Sequence, residues 1–126
     1  MEGNISNNQI KTHKDLEVWK SSMDFVVKIY ELTNKFPSSE LYGLTSQIRR
    51  ASVSIPSNIA EGAGRKNTKE FIQFLYISMG SISEIETQLE IAARLKYLNN
   101  PKEYYDHLDS IRRMISGLIS SLKKKM

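Results

Sequence analysis

Apolar residues recur at alternating gaps of three and four in four segments of the chain, the spacing that gathers them on one side of an α-helix. Between these segments the spacing is lost. The pattern therefore predicts four amphipathic helices, whose apolar stripes are Leu16, Trp19, Met23, Val26 and Tyr30; Leu41, Leu44, Ile48, Ala51, Ile55 and Ile59; Phe71, Leu75, Ser78, Ile82, Ile85, Leu89 and Ala92; and Tyr104, Leu108, Ile111, Ile115, Leu118 and Leu122.

Residues typical of helix ends lie between the stripes. Pro37 and the two serines after it should end the first helix and cap the second. Asn67, followed three residues later by Glu70, predicts the start of the third helix, and Pro101 is expected at the first position of the fourth. Because the connections are short, we predict an all-α fold, an antiparallel up-down-up-down four-helix bundle.

The first twelve residues differ from the rest of the chain. They are polar, rich in asparagine and without periodicity, so residues 1–12 are predicted to be a disordered tail. Residues 13–126 are then a single domain, since a chain of 126 residues holds one core.

A polar stripe borders the apolar face of the second helix. On a helical wheel, Gln47, Arg50, Ser54, Asn58, Glu61 and Arg65 fall within an arc of roughly 80°. This position predicts partial burial at a seam between helices, where polar groups need partners. Glu61 can reach Arg65 one turn later. We favour a structural hydrogen-bond network over a ligand or active site, and both interpretations stay open at this point.

Several segments of the chain resemble the 23S rRNA-intervening-sequence proteins. They are DLEVWK at 15–20, FP at 36–37, YGLTSQIRRASVSIPSNIAEG at 42–62, FIQFLYISMGSISEIETQL at 71–89 and YL at 97–98. The resemblance covers residues 14 to 122, and its motif residues, called here the motif stripe, are Gln47, Arg50, Ser54, Asn58, Glu61 and Gly62. It implies a four-helix bundle that forms a homo-oligomer, a pentamer, without an established activity. A similar bundle protein works with a reverse transcriptase and nucleic acid in diversity-generating retroelements.

Two helices carry more apolar residues than one stripe can hold. A lone bundle buries one stripe per helix, so the surplus should meet another subunit. We therefore expect a homo-oligomer whose interface contains Val18, Phe25, Ile29, Leu32 and Phe36 of the first helix and Phe74, Ile77, Ile91 and Leu95 of the third.

Positive charge collects around the second connection and along the fourth helix. Residues 101–126 hold six Lys or Arg and three acids, within a net charge of +4 for the whole chain. RNA or DNA is therefore a candidate partner, and the candidate contacts are Arg49, Arg65, Lys66, Lys69, Arg112, Arg113, Lys123, Lys124 and Lys125. Because no RNA-recognition, KH or zinc-finger signature is present, any binding should be weakly sequence-specific.

Other chemistry has little support in the sequence. There are no cysteines, and the two histidines, His13 and His107, lack the Glu-x-x-His pairing of bundle metal sites, so we expect no metal or cofactor. No base accompanies Ser54 in a recognisable motif, so we expect no catalytic residues. No segment could span a membrane or direct export, which favours the cytoplasm.

The function favoured by these features is a non-enzymatic homo-oligomeric bundle that acts as a nucleic-acid-associated or scaffolding module. The alternative is a protein-interaction adaptor without a nucleic-acid role, in which the basic residues only keep the assembly soluble.

Overall fold

The computed structural model describes residues 12–126 and contains four long helices. They are α1, Glu17–Thr33; α2, Leu44–Ala63; α3, Thr68–Arg94; and α4, Lys102–Lys123. Two 3₁₀ turns, His13–Asp15 and Ser38–Glu40, precede α1 and α2, and this part of the chain contains no strand. The prediction of an all-α four-helix fold is confirmed. Apart from Thr12, the predicted tail lies outside the described residues and stays a prediction.

Each helix packs against the helices before and after it, and α1 also packs against α4. In the three pairs α1–α4, α2–α3 and α3–α4 the contacting residues run in opposite chain order. Between α1 and α4 the contacts include Ser21 with His107 and Lys28 with Glu103; between α2 and α3, Ser54 with Ser81 and Ile55 with Ser78; and between α3 and α4, Glu90 with Tyr105, Glu86 with Arg112 and Tyr76 with Lys123.

The core runs through the middle of the bundle and draws on all four helices. The predicted stripes of α2, α3 and α4 supply most of it, including Ile48, Ile55, Leu75, Leu89 and Ile111, whose side chains have no exposed surface. Ile119 of α4 also joins the core, although the predicted stripe did not include it. Burial of each such side chain contributes about 1.5–3 kcal/mol to folding.

The prediction for α1 is wrong in its choice of face. Val18, Phe25 and Ile29, together with Leu32 and Phe36 beyond them, are buried in the subunit's own core and cannot form an oligomer interface. The predicted core stripe is only half-buried at Trp19 and exposed at Met23. The helix carries two apolar stripes side by side, and spacing along one helix does not show which of them faces the other helices.

The helix ends also differ in part from the prediction. Asn67 accepts a hydrogen bond from the Glu70 amide at 3.2 Å, so the predicted cap of α3 is confirmed. The serines after Pro37 instead lie in a 3₁₀ turn, and the Glu40 carboxylate accepts the Leu44 amide at the start of α2 at 3.1 Å. Pro101 occupies the cap position of α4, one residue before its first turn.

The connection from α1 to α2 and the connection from α3 to α4 meet at one end of the bundle. The Tyr97 hydroxyl donates to the Glu40 carboxylate at 2.8 Å, and its ring lies 5.4 Å from that of Phe36. The Leu44 amide and the Tyr97 hydroxyl, which both donate to this carboxylate, hold the pKa of Glu40 below its usual value. Since α2 leads away from this end, α3 returns to it and α4 leads away again, the other end holds the α2–α3 connection and the C-terminus. We call that other end the basic end.

Candidate functional site

The motif stripe of α2 divides into an inner and an outer part. Ser54 and Asn58 are half-buried against α3, and Gly62 is fully buried. Gln47, Arg50 and Glu61 are exposed. The predicted partial burial therefore holds for the centre of the stripe and not for Gln47, Arg50 and Glu61.

The inner part of the stripe surrounds a proline within the helix. Pro56 has no amide hydrogen, so a backbone hydrogen bond of α2 is missing near it. Asn58 Nδ2 donates to the Ser54 carbonyl at 2.8 Å and to Ser54 Oγ at 3.0 Å, and Ser54 Oγ lies 2.8 Å from Ser81 Oγ of α3. Ser78 Oγ donates to the Ile55 carbonyl at 3.0 Å. These bonds tie α2 to α3 in one register beside the proline.

Gly62 marks the closest approach of α2 to α3. A methyl group in place of its hydrogen would lie 2.8 Å from Phe71 Cδ1, 2.8 Å from Phe74 Cβ and 3.2 Å from the Phe71 carbonyl oxygen. Distances below 3.0 Å are too short for carbon atoms in contact. The motif glycine is therefore required by packing, not by a ligand.

The outer part of the stripe lines an open groove of about 510 Å³ between α2 and α3. Gln47 and Arg50 form its α2 side, Glu84 its α3 side, and Tyr42 stands at its end with 95% of its surface exposed. Within residues 12–126 neither Gln47 nor Arg50 has a hydrogen-bond or ion-pair partner. This groove is the part of the motif whose polar groups the subunit itself does not satisfy.

Glu61 does pair with Arg65, at 2.8 Å, as predicted. The pair is open to water, however, since 55% of the Glu61 side chain is exposed, and Glu70 offers Arg65 a second carboxylate at 3.8 Å. The Arg65 guanidinium also covers the Phe74 ring at 4.9 Å.

Replacing Glu61 with alanine should consequently change the free energy of unfolding by no more than about 0.5 kcal/mol, because exposed ion pairs contribute little. Thermal melts measure this. Glu86→Ala is the matched comparison, since it removes the carboxylate that Arg112 contacts at 2.8 Å in a half-buried pair, and it should cost more. A loss of about 3 kcal/mol for Glu61→Ala would contradict the exposed geometry and restore a buried structural role. An unchanged melting temperature with loss of a binding activity would make Glu61 part of a site.

The nine candidate nucleic-acid contacts fall into two groups. Three of them already have partners inside the subunit. Arg49 donates to Thr33 Oγ1 at 2.8 Å and to Asn34 Oδ1 at 3.1 Å, Arg112 pairs with Glu86 and Asp109, and Arg65 pairs with Glu61 and Glu70. Within residues 12–126 no acid pairs with the other six, which are the exposed residues Lys66, Lys69, Arg113, Lys123, Lys124 and Lys125.

Most of the unpaired group lies at the basic end. Lys123 Nζ donates to the Tyr76 hydroxyl at 3.3 Å. The end of α4 therefore lies beside α3, about two turns after the first residue of α3. Lys69 precedes Tyr76 by seven residues and so lies on the same side of α3, about 10 Å closer to the helix start. Arg113 does not belong here, because it is about 15 Å from Lys123 along α4.

A protein-family comparison agrees with the motif and the fold. The family model described as 23S rRNA-intervening sequence protein matches residues 14–117, which include all of α1, α2 and α3 and most of α4. The chain belongs to this family. No curated protein matches it. The family match contains the whole motif stripe but ends before Lys123, so the terminal lysines lie beyond the part that this chain shares with the family model.

The sequence interpretation missed a serine–histidine pair between α1 and α4. His107 is half-buried, with Nε2 3.0 Å from Ser21 Oγ and 3.1 Å from the Ser21 carbonyl oxygen. Its Nδ1 lies 3.2 Å from Lys28 Nζ. No spacing rule links residues so far apart, so only the packing of α1 on α4 reveals the pair.

The protonation of this pair does not suit nucleophilic catalysis. A carbonyl oxygen can only accept, so the contact with Ser21 requires the proton on Nε2, while the Lys28 ammonium donates to Nδ1. A base for the Ser21 hydroxyl would need a free lone pair on Nε2. The pair therefore acts as a link between helices.

Burial and the Lys28 cation lower the pKa of His107 below its ordinary value of 6.5, while the Ser21 carbonyl and Asp24 act in the opposite direction. The unfolded chain then binds the His107 proton more readily than the folded chain. Stability from this group is present above pH 6.5 and falls as the pH drops toward the folded pKa. Urea denaturation between about pH 7.5 and pH 5.5 should show this decline in the wild type and a flatter profile in His107→Gln. His13→Gln is the matched control, and identical profiles for the wild type and His107→Gln would contradict the assignment.

Two further kinds of site receive no support from the described residues. Among residues 12–126, no three His, Asp or Glu side chains group as metal ligands would. No helix in the same range combines the length and apolar character needed to cross a bilayer.

Proposed function

We propose that the protein is a non-enzymatic homo-oligomeric module that associates with RNA or DNA through its basic end. The observation that carries this proposal is the gathering of unpaired lysines there. Lys66 and Lys69 come from the α2–α3 connection and the start of α3, and Lys124 and Lys125 follow the end of α4. Such a positively charged surface attracts the negatively charged phosphate groups of nucleic acids.

The basic end offers charge without a means of reading sequence. Its one exposed aromatic side chain close to the lysines is Tyr76, whose hydroxyl and ring both face Lys123. Lysine contacts phosphate as a point charge and carries no base information. Binding should therefore tolerate any sequence, and it should weaken steeply with salt because each neutralised phosphate releases counterions.

Assembly is the second part of the proposal. A single basic end makes only a few phosphate contacts, so useful affinity requires several ends acting together on one strand. Exposed apolar side chains on α1 and α3, such as Met23 and Ile77, support contact between subunits. The family resemblance favours a pentamer.

The proton position on His107 and the scarcity of paired catalytic groups support the absence of an enzymatic role.

Fluorescence anisotropy with a labelled single-stranded RNA, a DNA of the same sequence and a scrambled RNA tests the proposal over a series of salt concentrations. Wild-type binding should be similar for all three probes, with a logarithmic salt slope of about −0.7 per phosphate contact. The double variant Lys66→Glu, Lys69→Glu should weaken binding to every probe and flatten the slope by about 0.7 for each lysine that contacts phosphate.

The matched control is Lys35→Glu, Lys96→Glu, which makes the same change of charge at the opposite end of the bundle, where both side chains are exposed. It should retain wild-type binding. Equal losses in the two double variants would show a diffuse charge effect and contradict the placement of the site. If the wild type binds no probe even at low salt, the protein-interaction adaptor becomes the better function and the lysines are a solvated surface.

A further inference from the structure

An exposed tyrosine of α3 lies next to the lysines of the basic end. Tyr76 is 50% exposed, and Lys123 Nζ lies 3.3 Å from its hydroxyl oxygen and 5.9 Å from the centre of its ring. A cation above the middle of the ring would be nearer to the ring centre than to the hydroxyl oxygen. Lys123 therefore stands at the hydroxyl edge and does not cover the flat faces of the ring.

Gly80, one turn after Tyr76, leaves open space beside this ring. A Cβ atom at Gly80 would have no heavy atom of another residue in ordinary contact, and the φ angle of Gly80 is not positive. Neither close packing nor a left-handed backbone therefore requires glycine here, although glycine is unfavourable inside a helix. Side chains of a helix lean toward its N-terminal end, so a larger residue at position 80 would lie over Tyr76.

The surface around Tyr76 is positively charged and free of nearby acids along the chain. Residues 71–83 of α3 contain no Asp or Glu, and residues 110–126 contain five Lys or Arg and no Asp or Glu. On the α2 side of the basic end, by contrast, Glu61 and Glu70 both lie close to Arg65. A phosphate group would consequently meet carboxylates on the α2 side and only cations on the side where α3 meets α4.

Cations stand at two edges of the tyrosine. Lys69 lies about 20° from Tyr76 around α3 and about 10 Å closer to the helix start. Lys123 approaches from α4 at the hydroxyl edge. Gly80 lies about 40° from Tyr76 on the same side of α3. We call this group of four residues, Lys69, Tyr76, Gly80 and Lys123, the tyrosine patch.

We propose that the Tyr76 ring stacks on one unpaired base of RNA or DNA while the lysines of the tyrosine patch contact phosphates of the same strand. The proposal rests on the proposed function and deepens it, because it names the form of nucleic acid that the basic end takes. An exposed aromatic ring among cations is the arrangement with which proteins hold single strands. The open space that Gly80 leaves gives the base access to the ring.

This arrangement selects single strands without selecting a sequence. Bases of a duplex are stacked on one another and present only their edges in the grooves, so Tyr76 cannot stack on them. Every base has a flat face, so stacking tolerates all four bases. The tyrosine patch therefore adds a preference for unpaired strands to the sequence-tolerant phosphate contacts of the lysines.

Fluorescence anisotropy with a single-stranded RNA, and with a duplex of the same sequence, tests the proposal. Tyr76→Ala should weaken binding to the single strand about fivefold or more, because alanine removes one stacked base. The salt slope should stay as in the wild type, since no phosphate contact is lost. Tyr76→Phe keeps the ring and should bind as the wild type does. Binding to the duplex should be the same for the wild type and Tyr76→Ala.

Tyr42→Ala is the matched control for Tyr76→Ala. Tyr42 is 95% exposed and lies before α2, at the opposite end of the bundle, so its truncation should leave binding unchanged. Circular dichroism and light scattering show whether each variant keeps the fold and the mass of the wild type.

Filling the space beside the ring gives a second test that leaves the tyrosine and every charge in place. Gly80→Leu should weaken binding to the single strand as Tyr76→Ala does, because the leucine side chain covers the ring. Gly117→Leu is the control, since Gly117 is also exposed with open space around it. Gly117 lies about 160° from the buried Ile119 around α4, on the side away from the core, so its replacement should leave binding unchanged.

Tyr76→Trp reports the stacking directly. The chain contains one tryptophan, Trp19, so the wild type provides the baseline for the second indole. Addition of the single-stranded RNA should quench the fluorescence of Tyr76→Trp more than that of the wild type, and addition of the duplex should not.

The outcomes separate this proposal from the function on which it rests. If the wild type binds the single strand and Tyr76→Ala binds it equally well, or if Tyr76→Phe loses as much as Tyr76→Ala, stacking is overturned while association through the lysines stands. An equal loss of duplex binding in Tyr76→Ala would overturn it in the same way. A wild type that binds no probe even at low salt would instead overturn the proposed function.

Discussion

Replacing Phe25 with alanine should lower the free energy of unfolding by about 3–5 kcal/mol, the usual cost of emptying a fully buried phenylalanine site. Phe25 has no exposed surface and meets the edge of the His107 ring at 5.2 Å, so its removal opens a cavity between α1 and α4. Urea denaturation followed by circular dichroism measures the loss. Because assembly also contributes to stability, the measurement should be repeated at several protein concentrations.

Met23→Ala is the matched control for Phe25→Ala. Both residues lie on α1, one on each apolar stripe, and Met23 is 40% exposed. Its truncation should cost less than about 1 kcal/mol in the isolated subunit. If Phe25→Ala weakened assembly while leaving the unfolding of the subunit unchanged, the first prediction from the sequence, that Phe25 belongs to an interface, would be right after all.

The sequence predicts the helices well because a helix is a local structure. Each of α2, α3 and α4 has one main apolar stripe, and in each this stripe and the observed core largely agree, as at Ile48, Leu89 and Ile111. In α1, Trp19 and Phe25 belong to different stripes of similar length, and the choice between them depends on where α2 and α4 lie. That information is not present in the spacing of α1.

The candidate site shows the same division between local and distant partners. The pairs Glu61 with Arg65 and Asn67 with Glu70 are predicted correctly, because residues three or four apart on a helix are neighbours. The sequence predicts Arg112 as a nucleic-acid contact because its partner Glu86 is on another helix, and spacing along one helix does not reveal such a pair.

Distant contacts depend on the register between helices. Ser54 meets Ser81, and Ser21 meets His107, only because the helices pack at one particular offset. Wheel positions give the direction of a side chain but not the height at which the next helix presents a partner. This is why the motif stripe could be located from the sequence, while its division into a satisfied centre and an unsatisfied outer groove could not.

Gly62→Ala should lower the free energy of unfolding by about 1–3 kcal/mol, the typical cost of overpacking a tight contact. Alanine is a better helix former than glycine by about 1 kcal/mol, so the measured loss is what remains after this gain. The added methyl group would lie 2.8 Å from Phe74 Cβ and 3.2 Å from the Phe71 carbonyl oxygen. Both atoms belong to or adjoin the α3 backbone, so relief requires a shift of the whole helix.

Gly64→Ala, two residues further on, is the control. There the nearest atoms to an added methyl group are 3.6 and 3.7 Å away, which is ordinary contact, and the backbone is right-handed, so the change should be neutral or stabilising by up to about 1 kcal/mol. Equal effects at the two glycines would show that α2 and α3 are not in tight contact at Gly62. Adding Phe71→Ala to Gly62→Ala should recover only part of the loss when the double variant is compared with Phe71→Ala alone, because alanine removes the contact with Phe71 Cδ1 but leaves Phe74 Cβ in place. Complete recovery would mean that one movable ring, not the approach of the two helices, requires glycine in the motif.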